Sequence, residues 1–321
     1  MTSDTPKISV LVIAYQMSKQ LENTLLSLSA VYQHNIAQED YEVIVVENKS
    51  DDTLAKSFIA DLEGNFRYFL REDSSVSPVD AINFGFQQCR GSYVGLMIDG
   101  ARMLSPGVLQ YTLMATQINR NATVAIPGYH IGDKEQHLQD KHYTAAQEQE
   151  ILTSLNWQKD GYQLFNISTF SNGNRRGFLQ PMHECNCIFS SMENFKRIGY
   201  ADSRFSLAGG GSLNLHIYRS LGLCSDSPLF VLAGEGSFHQ FHGGVTTSNH
   251  SELETSLHAY KDQLNSLWPN GGFQALRREP IILGKIPPQS VSHLMTSGNW
   301  ANTRFKRLTG LDKALWPDDT P

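Results

Sequence analysis

The stretch KISVLVIAY, residues 7–15, decides the fold. Its apolar and β-branched side chains follow one another without alternation, as in a strand buried on both faces. Behind it the period changes. Leu21, Leu25, Leu28 and Val31 recur at helical spacing, with Ser18 placed as the N-cap. A second buried strand, YEVIVVE (41–47), precedes a helix opened by Asp51 or Asp52, with Leu54, Phe58, Ile59 and Leu62 facing inward. A short strand at 66–70 follows, then a helix introduced by Ser77-Pro78 that carries Ala81, Ile82, Gly85 and Phe86. YVGLMI (93–98) is the fourth strand, and Ser105-Pro106 starts one more helix. This alternation predicts right-handed βαβ units. The fold class is therefore α/β, with a mostly parallel central sheet and helices on both faces.

From about residue 122 the alternation loosens. TVAIPGY (123–129) reads as one strand, and the polar residues 130–180 read as an insertion holding one helix around 145–157. CNCIFS (185–190) is a strand that would put Cys185 and Cys187 on one face. SMENFKRIG (191–199) is a helix stopped by Gly199. AGGGSLNLHIYRSLG (208–222) is a glycine turn feeding a helix, and PLFVLAGEG (228–236) reads as the last strand. A helix spans 251–268, and the Pro-, Ser- and Gly-rich tail from 279 is expected to lie over the surface.

Bulk properties exclude several classes. The chain has 321 residues, a formal charge of −6, 40 % apolar and 18 % charged residues. That is ordinary globular composition, and the acidic balance argues against nucleic acid as a partner. The first residues lack a signal-peptide pattern, and the apolar runs are far short of the roughly 20 residues that cross a bilayer. Four irregularly spaced cysteines form neither a disulfide framework nor a C-x-x-C motif. A cytoplasmic location fits these features.

Ligands of an open α/β sheet bind beyond the carboxyl ends of its strands. Ala14-Tyr15, Glu47-Asn48 and Asp99 stand there. No G-x-G-x-x-G follows the first strand, and neither a P-loop nor a G-x-S-x-G elbow occurs in the chain. An acid and an aromatic remain, with no glycine loop to cradle phosphate. Such a site needs another source of positive charge, and a divalent metal is the usual one.

ISVLVIAYQMSKQLENTLLSL, YEVIVVENKSDDT, AINFGFQQCRGSYVGLMIDG and FKRIGYADSRFSLAGGG together resemble the inverting family-2 type glycosyltransferases of the GT-A fold. The resemblance covers roughly residues 7–245. It implies a nucleotide-sugar half at 1–105, an acceptor-side half at 106–248 carrying the 130–180 insertion, and a C-terminal helix and tail at 249–321. Ala14, Tyr15 and Glu47 would hold the base and ribose of a nucleotide-diphospho-sugar. Asn83 would belong to the same binding element, with Ala81 and Gly85. The structural reading of Tyr15 is a core aromatic, and that of Glu47 a charge at a helix N-terminus.

Two departures from the family pattern matter. Where the family has two acids separated by one residue, this chain keeps Asp99 and has Ala101. The resemblance places a metal-binding histidine near GEGSFHQFHGG, so His239, then His242, become the candidate partners of Asp99 for Mn or Mg. Where the family has its catalytic aspartate stand Gly211 and Ser212, which cannot take a proton. Glu184 is the first candidate base and Glu235 the second.

The expected activity is transfer of a sugar from a nucleotide-diphospho-sugar to a hydroxyl acceptor, inverting and metal-dependent, in polysaccharide or glycoconjugate synthesis. The acceptor would be a glycan, a lipid-linked molecule or another hydroxyl compound, with peripheral membrane association an option. The alternatives are a nucleotide-sugar-binding homologue without turnover and a scaffold domain that binds a partner through 130–180.

Overall fold

The computed structural model describes residues 5–72, 75–134, 138–139, 143–242, 250–268 and 273–312. Strands β1 (Ile8–Tyr15), β2 (Tyr41–Asn48), β3 (Phe66–Arg71) and β4 (Tyr93–Met97) alternate with α1 (Ser18–Leu26), α2 (Lys56–Ala60) and α3 (Val79–Gln88). These four strands lie parallel in the order β4-β1-β2-β3. Next come β5 (Arg102–Leu104), α4 (Val108–Ile118), β6 (Thr123–Ala125), β7 (Gly128–Ile131), α5 (Ala145–Leu155), β8 (Ser168–Phe170), β9 (Cys187–Ser191) and α6 (Met192–Arg197). The chain continues through α7 (Gly211–Gly222), β10 (Leu229–Leu232), β11 (Ser237–His239), α8 (His250–Leu267), β12 (Ile281–Leu283) and α9 (Val291–Leu308).

Among the described residues the larger sheet has eight strands in the order β12-β10-β6-β9-β4-β1-β2-β3. Only β9 runs antiparallel to its neighbours. Successive residues of β1 go to opposite layers. Leu11 and Ile13 join Ile82, Phe86, Ile217 and Leu221 from α3 and α7. Val10, Val12 and Ala14 join Leu21, Leu25, Val108 and Leu109 from α1 and α4. Burial on both faces is what the unbroken apolar run requires, at roughly 1.5–3 kcal/mol for each fully buried large side chain.

The smaller sheet, β5-β11-β7-β8, stands beside the carboxyl ends of the larger one. Its rows alternate in character. Met103, Phe238, Tyr129 and Phe170 pair across the sheet and pack into the core. The adjacent row is Arg102, His239, His130 and Thr169. Row and face go together because side chains alternate along a strand.

Several local expectations change. Ser18 is the first helical residue rather than the N-cap, and its hydroxyl and amide both bond Asp52. The second helix begins only at Lys56, because the Glu47 carboxylate captures the Leu54 amide and holds the preceding loop out of helix. Val31 is exposed, and the helix after Ser105-Pro106 starts at Val108. TVAIPGY splits at Pro127 into β6 and β7, which belong to different sheets. Cys185 precedes its strand, so it joins one core layer and Cys187 the other.

The 130–180 segment is no polar appendage. Its Leu152, Trp157, Leu164, Phe165, Phe170 and Phe178 are buried in the main core. β10 is not the last strand either, since β11 and β12 follow it, and the tail from 279 contains the eighteen-residue α9. Among the described residues no helix is long and apolar enough to cross a membrane.

Candidate active site

A cleft of about 380 Å³ opens beyond the carboxyl ends of β1, β2 and β4. Ala14, Tyr15, Asn48, Asp99 and His242 line it, facing the glycine turn at 208–211 and Tyr260 of α8. That turn needs its glycines. Gly209 and Gly210 have φ of +73° and +68°, and a Cβ on Gly210 would come within 2.9 Å of Ile98 and Pro78. Gly100 is needed for a different reason, since a Cβ there would meet the Ile13 carbonyl at 2.9 Å.

The turn at Gly100 leaves the two oxygens of Asp99 with different tasks. Oδ1 accepts the Ala101 amide at 3.0 Å and fixes the turn. Oδ2 faces three groups: His239 Nε2 at 2.8 Å, Arg102 Nε at 3.7 Å and His242 Nε2 at 3.8 Å. The two histidine Nε2 atoms lie 3.0 Å apart, and the potential ligand atoms of all three residues fall within 4.8 Å of one another. Both histidines therefore lie at Asp99.

Their surroundings explain the arrangement. His239 ends β11 directly opposite Arg102 of β5, is buried, and has His130 5.1 Å away, ring to ring. Burial lowers its pKa to about 4 against the upward pull of Asp99, which leaves the imidazole neutral near pH 7. Burial alone would raise the Asp99 carboxyl, but the adjacent imidazoles hold it well below the usual carboxylate range. His242 is set by its neighbour Phe241. The Phe241 amide donates to Glu148 Oε1 at 2.7 Å, and its carbonyl accepts Gln20 Nε2 at 2.8 Å. Glu148 is itself buried, which raises its carboxyl to about 7. Sequence reading missed Glu148 and Gln20, whose roles appear only when α1 and α5 meet.

The donor set fits a divalent ion. A carboxylate oxygen and two imidazole nitrogens suit Mn²⁺-class metals, and the histidines must be neutral to ligate. Only one proton fits between two nitrogens 3.0 Å apart, so the pair otherwise presents a bare lone pair. His239 Nδ1 is also buried, with no hydrogen-bond partner among the described residues.

Other expected site residues are placed differently. Glu47 is fully buried and accepts from Leu54 N at 3.1 Å and Tyr68 Oη at 2.7 Å. It points away from the cleft, and Asn48, the next residue, lines it instead. Asn83 exchanges two hydrogen bonds with the Ala201 backbone, at 2.9 and 3.1 Å, and ties α3 to the loop after α6. Glu235 is fully buried, taking bonds from Ser105 Oγ, Tyr162 Oη and Gly107 N. Burial raises its carboxyl to about 7, and it is not among the residues that line the cleft. Glu184 is partly buried against Gly173 and is not among the residues that line the cleft. Burial raises its pKa, and the nearby Arg102 charge opposes the rise. Ser212 gives its hydroxyl to Gln263 Oε1 at 2.5 Å.

The family described as glycosyl transferase family 2 matches residues 9–181, more than half of the chain. The chain belongs to glycosyl transferase family 2. This protein is thus a glycosyltransferase, and its central sheet with flanking helices is that of the GT-A fold. No curated protein matches it. Among solved structures it is similar to TarS 1–349 of S. aureus in complex with UDP-GlcNAc, with a TM-score of 0.50 and 14 % identity. That likeness covers 96 % of this chain and 76 % of TarS 1–349. It is also similar to the mannosyltransferase PcManGT of Pyrobaculum calidifontis in complex with GDP-Man and Mn²⁺, with a TM-score of 0.51 and 12 % identity. Here the coverage is 98 % of this chain and 78 % of the other. At such identities the likeness speaks for the fold alone.

Proposed function

We propose that this glycosyltransferase binds a nucleotide-diphospho-sugar in the cleft together with Mn²⁺ or Mg²⁺ at Asp99, His239 and His242. It transfers the sugar, with inversion, to a hydroxyl of a glycan, lipid-linked or other acceptor in polysaccharide or glycoconjugate synthesis. The observation that carries this reading is the convergence of one carboxylate and two imidazoles, of which Asp99 and His242 line the strand-end cleft. The nucleotide-sugars bound by TarS and PcManGT, and the Mn²⁺ of the latter, support it.

Tyr15, 52 % exposed at the cleft wall, offers a face for the base, and Ala14 leaves room beside it. The Asn48 amide can both donate to and accept from a nucleobase or ribose. When bound, the ion supplies positive charge to the departing diphosphate. Glu184 is the proposed base. The acceptor oxygen bonds to the anomeric carbon, the bond to the diphosphate oxygen breaks, and the hydroxyl proton passes to the carboxylate. A carboxyl raised by burial suits that task. The test is release of nucleoside diphosphate from UDP-GlcNAc, UDP-glucose and GDP-mannose with Mn²⁺ or with EDTA. Release from at least one donor, abolished by EDTA, is expected. Equal release in EDTA removes the metal from this reading.

A further inference from the structure

Arg102 is 5 % exposed, and the guanidinium is the odd member of the site. Its Nε and Nη1 are wholly buried with no hydrogen-bond partner among the described residues. Its nearest counter-charge is Asp99 Oδ2 at 3.7 Å, the same oxygen that both histidines face. The charge also acts on Glu184, whose carboxyl burial raises and Arg102 pulls down. The thiols of Cys185 and Cys187, which burial raises, feel it as well. A buried guanidinium with unfilled donors is expensive to keep and invites a functional explanation.

Charge counting supplies one. A ligating imidazole carries no charge, so within the ligand set Asp99 and Arg102 cancel, and the trio offers an incoming cation no net attraction. A divalent ion entering alone would lie a few ångströms from a fixed cation in a weakly screened setting. A diphosphate arriving with the ion brings at least two negative charges, which offset both. We propose that Arg102 makes metal loading conditional on the diphosphate, so that the Asp99–His239–His242 trio takes up a divalent ion with a nucleoside diphosphate and not by itself. Arg102 is a positioning residue in this account, acting through the charge of the site. The ion is then recruited with each donor and released with each product. The proposal rests on the metal reading above.

The test is Mn²⁺ binding to the full chain, read as loss of the free-ion electron paramagnetic resonance signal, without nucleotide and with UDP or GDP. The His239→Ala chain serves as the blank for Mn²⁺ held by nucleotide alone. Wild type should bind Mn²⁺ at least about tenfold more tightly with one of the diphosphates, within the usual range of coupling between two ligands. Arg102→Met should bind Mn²⁺ alone about tenfold or more tightly than wild type, with the coupling reduced. Arg102→Lys, which keeps the charge, should behave like wild type. If Arg102→Met does not fold, Arg102→Gln takes its place. Equal Mn²⁺ affinity in wild type with and without diphosphate overturns the proposal and leaves the metal reading standing. So does a neutral variant that binds Mn²⁺ no more tightly than wild type. Mn²⁺ held by no form of the chain, with either nucleotide, overturns the metal reading and this proposal together.

Discussion

His239 and His242 turn their Nε2 atoms toward each other at 3.0 Å, and both aim at one oxygen of Asp99. His239 is fixed by its place at the end of β11. His242, three residues on, is held through the bonds of Phe241 to Glu148 and Gln20. Two elements therefore set one pair. Breaking the second support should loosen His242 and leave His239 in place. Glu148→Ala is expected to weaken metal-dependent nucleotide binding about tenfold, roughly 1.4 kcal/mol. Isothermal titration with UDP or GDP in Mn²⁺ reads this, and unchanged affinity contradicts the support role.

Glu47 and Asn48 should separate by readout. Glu47→Ala leaves the Leu54 amide and the Tyr68 hydroxyl without their acceptor, at a cost of about 2 kcal/mol or more in stability. Asn48→Ala, which leaves no side-chain hydrogen bond of the two donors unmet, should cost less stability than Glu47→Ala and weaken nucleotide binding severalfold. Denaturant unfolding and nucleotide titration on the same two variants check both outcomes. A binding loss confined to Glu47→Ala would return that residue to the cleft.

The same pair shows where sequence stops being legible. An acid and an amide at a strand end point to opposite sides, and nothing local says which side holds the ligand. The parallel strands β1, β2 and β4 were readable because burial on both faces demands unbroken apolar runs. TVAIPGY carries its break at Pro127-Gly128, a turn dipeptide, but both halves are apolar and nothing local assigns them to different sheets. α9 was hidden for the opposite reason. Its buried positions are His293, Ser297 and Arg307, while Val291, Met295, Phe305 and Leu308 are exposed, so its apolar positions do not mark the face that packs. The histidine pair was legible as candidates, while Arg102 behind Asp99 was not, because its burial is a tertiary fact.

Glu235→Gln should change stability with pH and leave catalysis alone. Burial raises the Glu235 carboxyl from 4.5 to about 7, so the folded protein keeps a proton that the unfolded chain releases. The stability linked to this proton is intact below about 4.5 and is lost as pH rises through about 7. The neutral amide avoids that loss. Thermal unfolding of the variant relative to wild type should shift in its favour between about pH 5 and about pH 8, by on the order of 3 kcal/mol at most. A difference independent of pH would contradict the buried-acid account, and a large loss of transfer would reopen Glu235 as the base.

Glu184→Gln is expected to bind nucleotide-sugar as wild type does and to transfer at least about a hundredfold more slowly, the usual cost of removing a general base. Rates with saturating donor and equilibrium binding of the same donor give the two numbers. Full transfer activity would place the proton acceptor elsewhere.

The central claim is that Asp99, His239 and His242 hold a divalent ion against a nucleotide diphosphate. Thermal shift with UDP and GDP, in Mn²⁺ and in EDTA, on wild type, Asp99→Asn and His239→Ala tests it most directly. A ligand at a hundred times its dissociation constant adds roughly 2.7 kcal/mol to apparent stability, well within reach of the method. Wild type should be stabilised by one of the nucleotides in Mn²⁺ and much less in EDTA. Both variants should lose that difference while unfolding cooperatively without ligand. Equal shifts in Mn²⁺ and EDTA, or variants that keep the full Mn²⁺-dependent shift, would contradict the account.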